Sequence, residues 1–431
     1  GESRIINEKY GFIEEVVREV LLHKQRQDRL TERADQVLTH RVWGVPMFLG
    51  IMALVFFLTF TVGDWIKGYF EYAIEWLSVS AQQTLGALGV GEMIKSLVID
   101  GVIGGVGTII TFLPNIFILF LALAFLEDSG YMARVAYVME GLMSRLGLSG
   151  KAFIPMLLGF GCTVPALMAS RALESRRDRY KVMLVTPFMS CNARLTIYIL
   201  FSHMFFGRWA MLAAYSMYLI GIVVAILVSV ALHLLDREKS VNYLLIELPE
   251  YKMPDARTVG IYVWDKVKDY LGKAGTTIFL ATLLIWILLN FGPQGYSPDL
   301  SVGFGAMIGR WMAPFFAPIG LGFWQITVAL IAGISAKEVV VSSCAVLFGI
   351  VNANSPAGME AFSRVLAGIG FGPLNAFCLM VFCLLYIPCA ATLAAIHRES
   401  NSWAWTAFTA LFQVLVAWLV TFLVYRVGLL L

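Results

Sequence analysis

Apolar stretches of spanning or nearly spanning length recur along this chain, at residues 45–63, 97–126, 151–169, 182–206, 209–235, 275–291, 323–349, 374–396 and 404–425. A bilayer core takes about 20 residues of helix to cross. With no water there to satisfy backbone groups, only helices and closed barrels are viable. The two-residue alternation of a barrel is absent, so the fold class is all-α integral membrane, a polytopic helical bundle of roughly eight to ten passes. Composition agrees, since 59% of the residues are hydrophobic and 14% charged, outside the range of a soluble domain. The net charge of +3 is small and scattered, which excludes a nucleic-acid partner and leaves membrane lipid as the surrounding one. Residues 1–41 are charged and lack the apolar core of a signal peptide, so the N-terminus is expected in the cytoplasm.

Lys and Arg collect at 24–41, at 171–181 and at 236–273, which places these segments on the cytoplasmic side. The connections 292–322 and 350–373 hold only Arg310 and Arg364 and are expected outside. Before the first span, Phe12, Ile13, Val16, Val17, Val20 and Leu21 recur at helical spacing, predicting an amphipathic helix; a polar helix follows over 25–40.

Two of the apolar stretches are interrupted. The first carries Gly159-Phe160-Gly161-Cys162-Thr163-Val164-Pro165-Ala166, and the second Gly333-Ile334-Ser335-Ala336-Lys337-Glu338. Glycines and a proline free backbone groups that lipid cannot satisfy, so such breaks belong against protein or along a path. Each break is followed by a loop and then by a span with a cysteine at mid-depth, in Ser190-Cys191-Asn192-Ala193 and in Pro388-Cys389-Ala390-Ala391. This shared order predicts two gate-type repeats with broken or re-entrant helices. The basic loop after the first break and the nearly neutral one after the second predict that the repeats are inverted, with a site where they meet. The expected organisation is linker helices at 1–41, a first transmembrane helix with an external amphipathic segment at 42–96, a first repeat at 97–235, a cytoplasmic connection at 236–274, a second repeat at 275–403 and a last helix at 404–431.

All six cysteines lie in apolar segments, where a thiol usually packs as a small hydrophobe; Cys344, Cys378 and Cys383 are read that way. Cys162, Cys191 and Cys389 instead sit beside helix breakers or small polar residues. A thiol next to unpaired carbonyls suits a late divalent transition metal, whereas magnesium wants carboxylates and retained water. Glu338 is costly in a membrane unless it pairs or faces a cavity, which adds it to the candidate metal set, with pairing to Lys337 as the bland alternative. Gly159, Gly161, Thr163, Pro165, Ser190, Asn192, Gly333, Ser335 and Lys337 are expected to line the gate. Carbonyls near Gly161 and Gly333 are expected to complete the metal's shell. Glu127 and Asp128, at the end of an apolar span, form a possible metal-collecting mouth, or a plain solvated helix end.

Catalytic readings find little support. Gly147-Leu148-Ser149-Gly150-Lys151-Ala152 lacks the first glycine and the final Ser or Thr of a phosphate loop, and the five histidines have no metal-site spacing. Two rivals to a metal carrier stand: a nucleoside or other organic-solute carrier, disfavoured because the first break offers mainly one thiol and one hydroxyl, and a membrane scaffold that moves nothing.

Val37-Leu38-Thr39-His40-Arg41-Val42-Trp43-Gly44-Val45-Pro46, Glu127-Asp128-Ser129-Gly130-Tyr131-Met132-Ala133-Arg134, the first break, Ser190-Cys191-Asn192-Ala193-Arg194 and Ala336-Lys337-Glu338 occur in that order over essentially the whole chain. Together they resemble the membrane region of the FeoB ferrous iron transporter family. The resemblance implies a bacterial inner-membrane protein that imports Fe(II) as substrate through gate repeats similar to those of nucleoside transporters. It also implies an N-terminal GTP-binding domain, with GTP and Mg, which these residues do not include, so this chain is expected to be no enzyme by itself. Small accessory Feo proteins and a homo-oligomer are the further partners it implies.

Overall fold

The computed structural model describes residues 38, 40, 43–173, 175–235, 251–297, 299–350 and 356–430. The predicted helix around 12–21 lies outside the described residues, as does all but 38 and 40 of the polar helix. Helix α1 (Gly44–Ala87) runs unbroken for 44 residues. At 1.5 Å per residue it is about 66 Å long, so it crosses a bilayer and continues well beyond it. The expected first transmembrane helix and external segment are therefore one rod. Beside it packs α2 (Glu92–Asp128), which carries a π-helical turn at Leu97–Ile103.

The next elements are short. An amphipathic helix α3 (Tyr131–Arg145) leads to α4 (Phe153–Leu158) and α5 (Thr163–Ala169), the halves of the first interrupted stretch. Then come α6 (Arg176–Val185), a turn of 3-10 helix at Thr186–Phe188, α7 (Asn192–Phe206) and the long α8 (Ala210–Leu235). The second half follows a similar order, with a hairpin and one further helix added. Helix α9 (Ala256–Asn290) again carries a π-helical turn, at Tyr270–Gly275, and α10 (Phe304–Phe316) is amphipathic. Helices α11 (Trp324–Ala332) and α12 (Val339–Leu347) flank the second break. After α13 (Pro356–Gly368), α14 (Pro373–Leu385) and α15 (Ala390–Ser400) flank another, and α16 (Trp403–Leu430) closes the chain. The only strands among the described residues are Phe291–Gly292 and Gly295–Tyr296, a tight hairpin after α9.

Six described helical stretches are long and apolar enough to cross a membrane, or seven if the bent pair Phe304–Ile319 and Trp324–Ala332, which meet at 102°, is one span. This is fewer than the eight to ten expected, because stretches 151–169 and 323–349 are split into half-helices too short to span and stretches 182–206 and 209–235 fall in one helical run, Arg176–Leu235. The half-helices α4, α5 and α11 are largely buried, whereas α12 leaves Val346 exposed. Most of Pro373–Ser400 is buried, whereas the outer α1, α8 and α16 turn rows of large apolar side chains outward, such as Leu54 and Phe57, Leu219 and Leu227, Leu411 and Leu415. In a membrane protein this is the expected arrangement, apolar to lipid and broken backbone sealed inside protein.

Candidate metal pathway at the helix breaks

Each half contains two breaks, and main-chain chemistry joins them. In the first half the amide of Asn192 donates to the Gly161 carbonyl at 3.4 Å; in the second, the amide of Ala390 donates to the Ile334 carbonyl at 2.7 Å. Glycine makes both approaches possible. A Cβ on Gly159 would press on Thr186 and Met189, and one on Gly333 would overlap Val340 and the Tyr386 hydroxyl. So Gly159 and Gly333 act at the equivalent place in the two halves, where the first break meets the second.

Three cysteines occupy equivalent local positions. Cys162, Cys191 and Cys389 all have extended backbone and each is the N-cap of the half-helix that follows, α5, α7 and α15 respectively. Their thiols therefore sit where helix N-termini expose unsatisfied N–H groups and the positive end of the helix dipole. Pro165, in the first turn of α5, costs no intrahelical bond because amides there have no partner within the helix.

All three cysteines line one cavity of about 110 Å³ between the two halves. Around it stand Thr163, Asn192, Ser335 and Thr392, with Thr59 of α1 and Asn115 of α2 on one wall and Tyr270 of α9 on another. The Cys389 sulfur is 3.1 Å from the Thr392 hydroxyl. Among the described residues no three His, Cys, Asp or Glu side chains come close enough to form one metal-holding group. The thiols are thus separate lining groups rather than a closed cage.

The cavity wall is mostly apolar and holds two basic side chains, Lys337 and Arg194. Lys337 is 2% and Arg194 1% exposed. The Lys337 ammonium lies 3.3 Å above the Tyr386 ring and donates to the carbonyl of Ile387, while the Tyr386 hydroxyl donates to Leu330. Arg194 donates to the carbonyls of Pro187 and Met189 at 3.0 and 2.9 Å. Thus each half holds one buried cation against the carbonyls that end its second interrupted helix.

A smaller cavity of about 40 Å³ shares Val164, Tyr270 and Ala391 with the central one and continues to Asp269, Arg398 and Glu399. Ion pairs close its far side. Arg398 meets Asp269 at 3.1 Å, and Arg171 forks onto Glu399 with bonds of 2.7 and 2.6 Å. Arg179 donates to the Glu399 carbonyl and Tyr180 to that of Ser400, so this contact ties the first half to the second.

Several sequence expectations land elsewhere. Glu338 does not line the central cavity among the described residues; its carboxylate is 4.0 Å from Lys67 of α1, while Lys337 turns to Tyr386, so the two neighbours take different partners. The Gly161 carbonyl expected to complete a metal shell already accepts the Asn192 amide. Ser190 is buried and donates to Tyr198 at 3.2 Å, and Pro165 lines a side cavity together with Glu127, Lys151 and Tyr262. Asp128 accepts the Asp255 amide at 2.9 Å, anchoring the start of α9, which explains its place without a metal. Cys344, Cys378 and Cys383 are fully buried in the core, as their apolar neighbours implied.

Comparison with known proteins follows the same outline. A family model described as Gate, nucleoside recognition, matches residues 109–205 and 271–403, one match in each half, and a model of the ferrous iron transport protein B C terminus matches 214–266. The Fe(2+) transporter FeoB of Campylobacter jejuni is 35% identical over 421 residues, covering 96% of this chain and 68% of the relative. The chain belongs to the FeoB family. The FeoB of Staphylococcus aureus is 38% identical over 420 residues, 97% of this chain and 62% of that protein. A protein of Porphyromonas gingivalis named as a fusion of Fe(2+) transport protein A and FeoB is 38% identical over 476 residues, 100% of this chain and 55% of the relative. The chain thus spans less than two thirds of the length of the latter two relatives. No solved structure matches.

Within this FeoB-family chain, sequence reasoning missed Tyr270, Asn115, Thr59 and the pairs Arg171–Glu399 and Arg398–Asp269. Nothing in the local sequence marks them, because each acts through an element distant in the chain. Arg194 and Lys337 were visible as charges inside apolar segments, but their carbonyl partners were not.

Proposed function

We propose that this chain conducts Fe(II) as substrate across the bacterial inner membrane into the cytoplasm, through the cavity between its two gate regions. The observation that carries the reading is the convergence of Cys162, Cys191 and Cys389, each the N-cap of a half-helix, on one cavity. Sulfur ligands favour borderline and soft metals over hard ones. Separate thiols give weak, exchangeable ligation, which passage requires and a closed tetrathiolate site would defeat. The similar order of elements in the two halves supports an inverted pair, in which one side of the cavity opens as the other closes.

The entrance in this reading lies beside the middle of α1. Lys67 stands 23 residues, about 35 Å, along that helix from Gly44. There Glu338 and its electrostatic neighbours Asp64 and Glu71 give the approach an acidic character. The exit is the small cavity behind Tyr270, closed by the Arg171–Glu399 and Arg398–Asp269 pairs. A GTP-binding domain, which the family resemblance implies, would bias these closing contacts from the cytoplasmic side; no catalytic step is assigned to the present residues. The fusion of transport protein A to FeoB in Porphyromonas gingivalis supports small accessory Feo proteins as partners, and self-association is the other partner arrangement proposed.

The test is anaerobic Fe(II) entry into proteoliposomes, parent against Cys162→Ser. Entry lost in the variant places the metal at the first break. Equilibrium Fe(II) binding on the same samples separates a closed gate from a wrong substrate: a chain that neither binds nor passes Fe(II) sinks the reading.

A further inference from the structure

The half-helices give the central cavity its sulfur, and α1 and α2 give it oxygen: Thr59 from α1, Thr108 and Asn115 from α2. Both hydroxyls donate within their own helix, Thr59 to the Val55 carbonyl at 2.8 Å and Thr108 to that of Gly104 at 2.9 Å, which leaves their oxygens as acceptors. Asn115 is held differently. Its Nδ2 donates to the Asp64 carboxylate at 2.8 Å. A carboxylate oxygen offers an acceptor, so this bond decides which way round the amide stands, with its NH2 group toward Asp64 and its oxygen turned from it. That oxygen, Oδ1, is buried and has no hydrogen-bond partner in the structure described. The amide rests against Gly63 of α1, where any Cβ would overlap Oδ1, so the glycine makes the space in which this oxygen sits. A buried acceptor left without a donor costs stability, and a bound ion or water is its usual explanation.

We infer that Asn115 is a metal ligand of this cavity through its amide oxygen, with Asp64 as the positioning residue that sets the amide's orientation. The inference rests on the metal-path reading above and deepens it, since it makes the site a mixed one of sulfur and oxygen. A borderline ion such as Fe(II) accepts both. An amide oxygen brings no charge, so it replaces a hydration oxygen without trapping the ion, as passage requires. Its place suits a hand-over. Asp64 lies one turn of α1 before Lys67, the neighbour of Glu338, so one end of the Asn115 amide is tied to the acidic approach while the residue itself lines the thiol cavity.

The experiment is equilibrium binding of Mn(II) and Cd(II) to the purified chain, with Mn(II) followed by loss of its free-ion EPR signal, for the parent, Asn115→Leu and Asp64→Asn. Mn(II) draws its affinity from oxygen ligands and Cd(II) from sulfur, so the readout is the ratio of the two affinities. A residue that merely packs, or a lost charge, would move both ions together. Asn115→Leu is expected to weaken Mn(II) relative to Cd(II) by about tenfold. Asp64→Asn should move the ratio the same way by less, because an amide there can bond to Asn115 either way round. A folded Asn115→Leu protein with the parent's ratio overturns the inference. Asp64→Asn with the parent's ratio removes the positioning role, and overturns the whole should Asn115→Leu fail to fold. A parent that binds Cd(II) but not Mn(II) also overturns the inference, whereas one that binds neither ion refutes the metal path beneath it. Fe(II) entry into proteoliposomes can fail and leave the binding ratio readable, so the two readings fail separately.

Discussion

The backbone amide of Ala390 donates to the carbonyl of Ile334 at 2.7 Å, tying the second break of the second half to its first. Ala390 is the first residue of α15, where an amide has no helical partner, and Cys389 before it has ψ 158°, already suited to a following proline. Ala390→Pro should therefore remove this one bond and little else. The expected cost is about 1 kcal/mol, read as a lower thermal midpoint of the detergent-solubilised chain. An unchanged midpoint would mean that the breaks are held together by packing alone.

Thiol substitutions should divide by position. Cys162→Ser and Cys191→Ser, at the central cavity, are expected to reduce Fe(II) entry at least about tenfold through loss of a sulfur ligand, while Cys378→Ala, in the core, leaves entry per folded protein near the parent level. Equal losses in all three, measured by anaerobic uptake, would remove the cavity thiols from the path.

The Glu399 side chain is 3% exposed and that of its partner Arg171 43%. Truncating the arginine strands a buried carboxylate, and partial solvation of the arginine site tempers the penalty to about 1–3 kcal/mol. A thermal-melt double-mutant cycle of Arg171→Ala and Glu399→Gln should give coupling well above that of the exposed pair Arg364–Glu360. Under the transport reading, the same arginine variant should raise passive metal leak.

Glu338 lies near Lys67 rather than among the thiols, so its influence on entry should be electrostatic. Glu338→Gln is expected to slow Fe(II) uptake at low ionic strength and to approach the parent rate at high salt, where charges are screened within a few Å. Cys162→Ser should show no such recovery. A salt-independent defect in Glu338→Gln would instead make that carboxylate a direct ligand.

Asp255 caps the start of α9: its carboxylate accepts both the amide and the hydroxyl of Thr258, at 3.0 and 2.8 Å, which holds its pKa below the ordinary carboxyl range. A lowered folded-state pKa stabilises the fold at pH above the unfolded value, and that contribution fades as pH falls through the folded one. Thermal midpoints of the parent and Asp255→Asn should thus differ near neutral pH and converge on acidification below the ordinary carboxyl range. A constant difference down to strongly acidic pH would assign the effect to geometry rather than charge.

The all-helical membrane class, two of the four breaks and the three cysteines of interest are legible in the sequence, whereas the breaks before Asn192 and Ala390 read there as continuous spans. Apolar length and helix-breaking residues act locally, and lipid admits only one response to each. Glycine at 159 and 333 could be read as a break, since the backbone chemistry lies in the residue itself. What each glycine admits, Thr186 and Met189 in one half and Tyr386 in the other, was decided only by the tertiary structure. The same holds for charge. The sequence placed Lys337 and Glu338 at costly depth, but two adjacent residues at a break can point to different neighbours. Only packing sent Lys337 to Tyr386 and Ile387 and Glu338 toward Lys67. Tyr270 and the Arg171–Glu399 pair had no local mark at all, because their roles arise from helices that meet across more than a hundred residues of chain, where no periodicity or spacing records the contact.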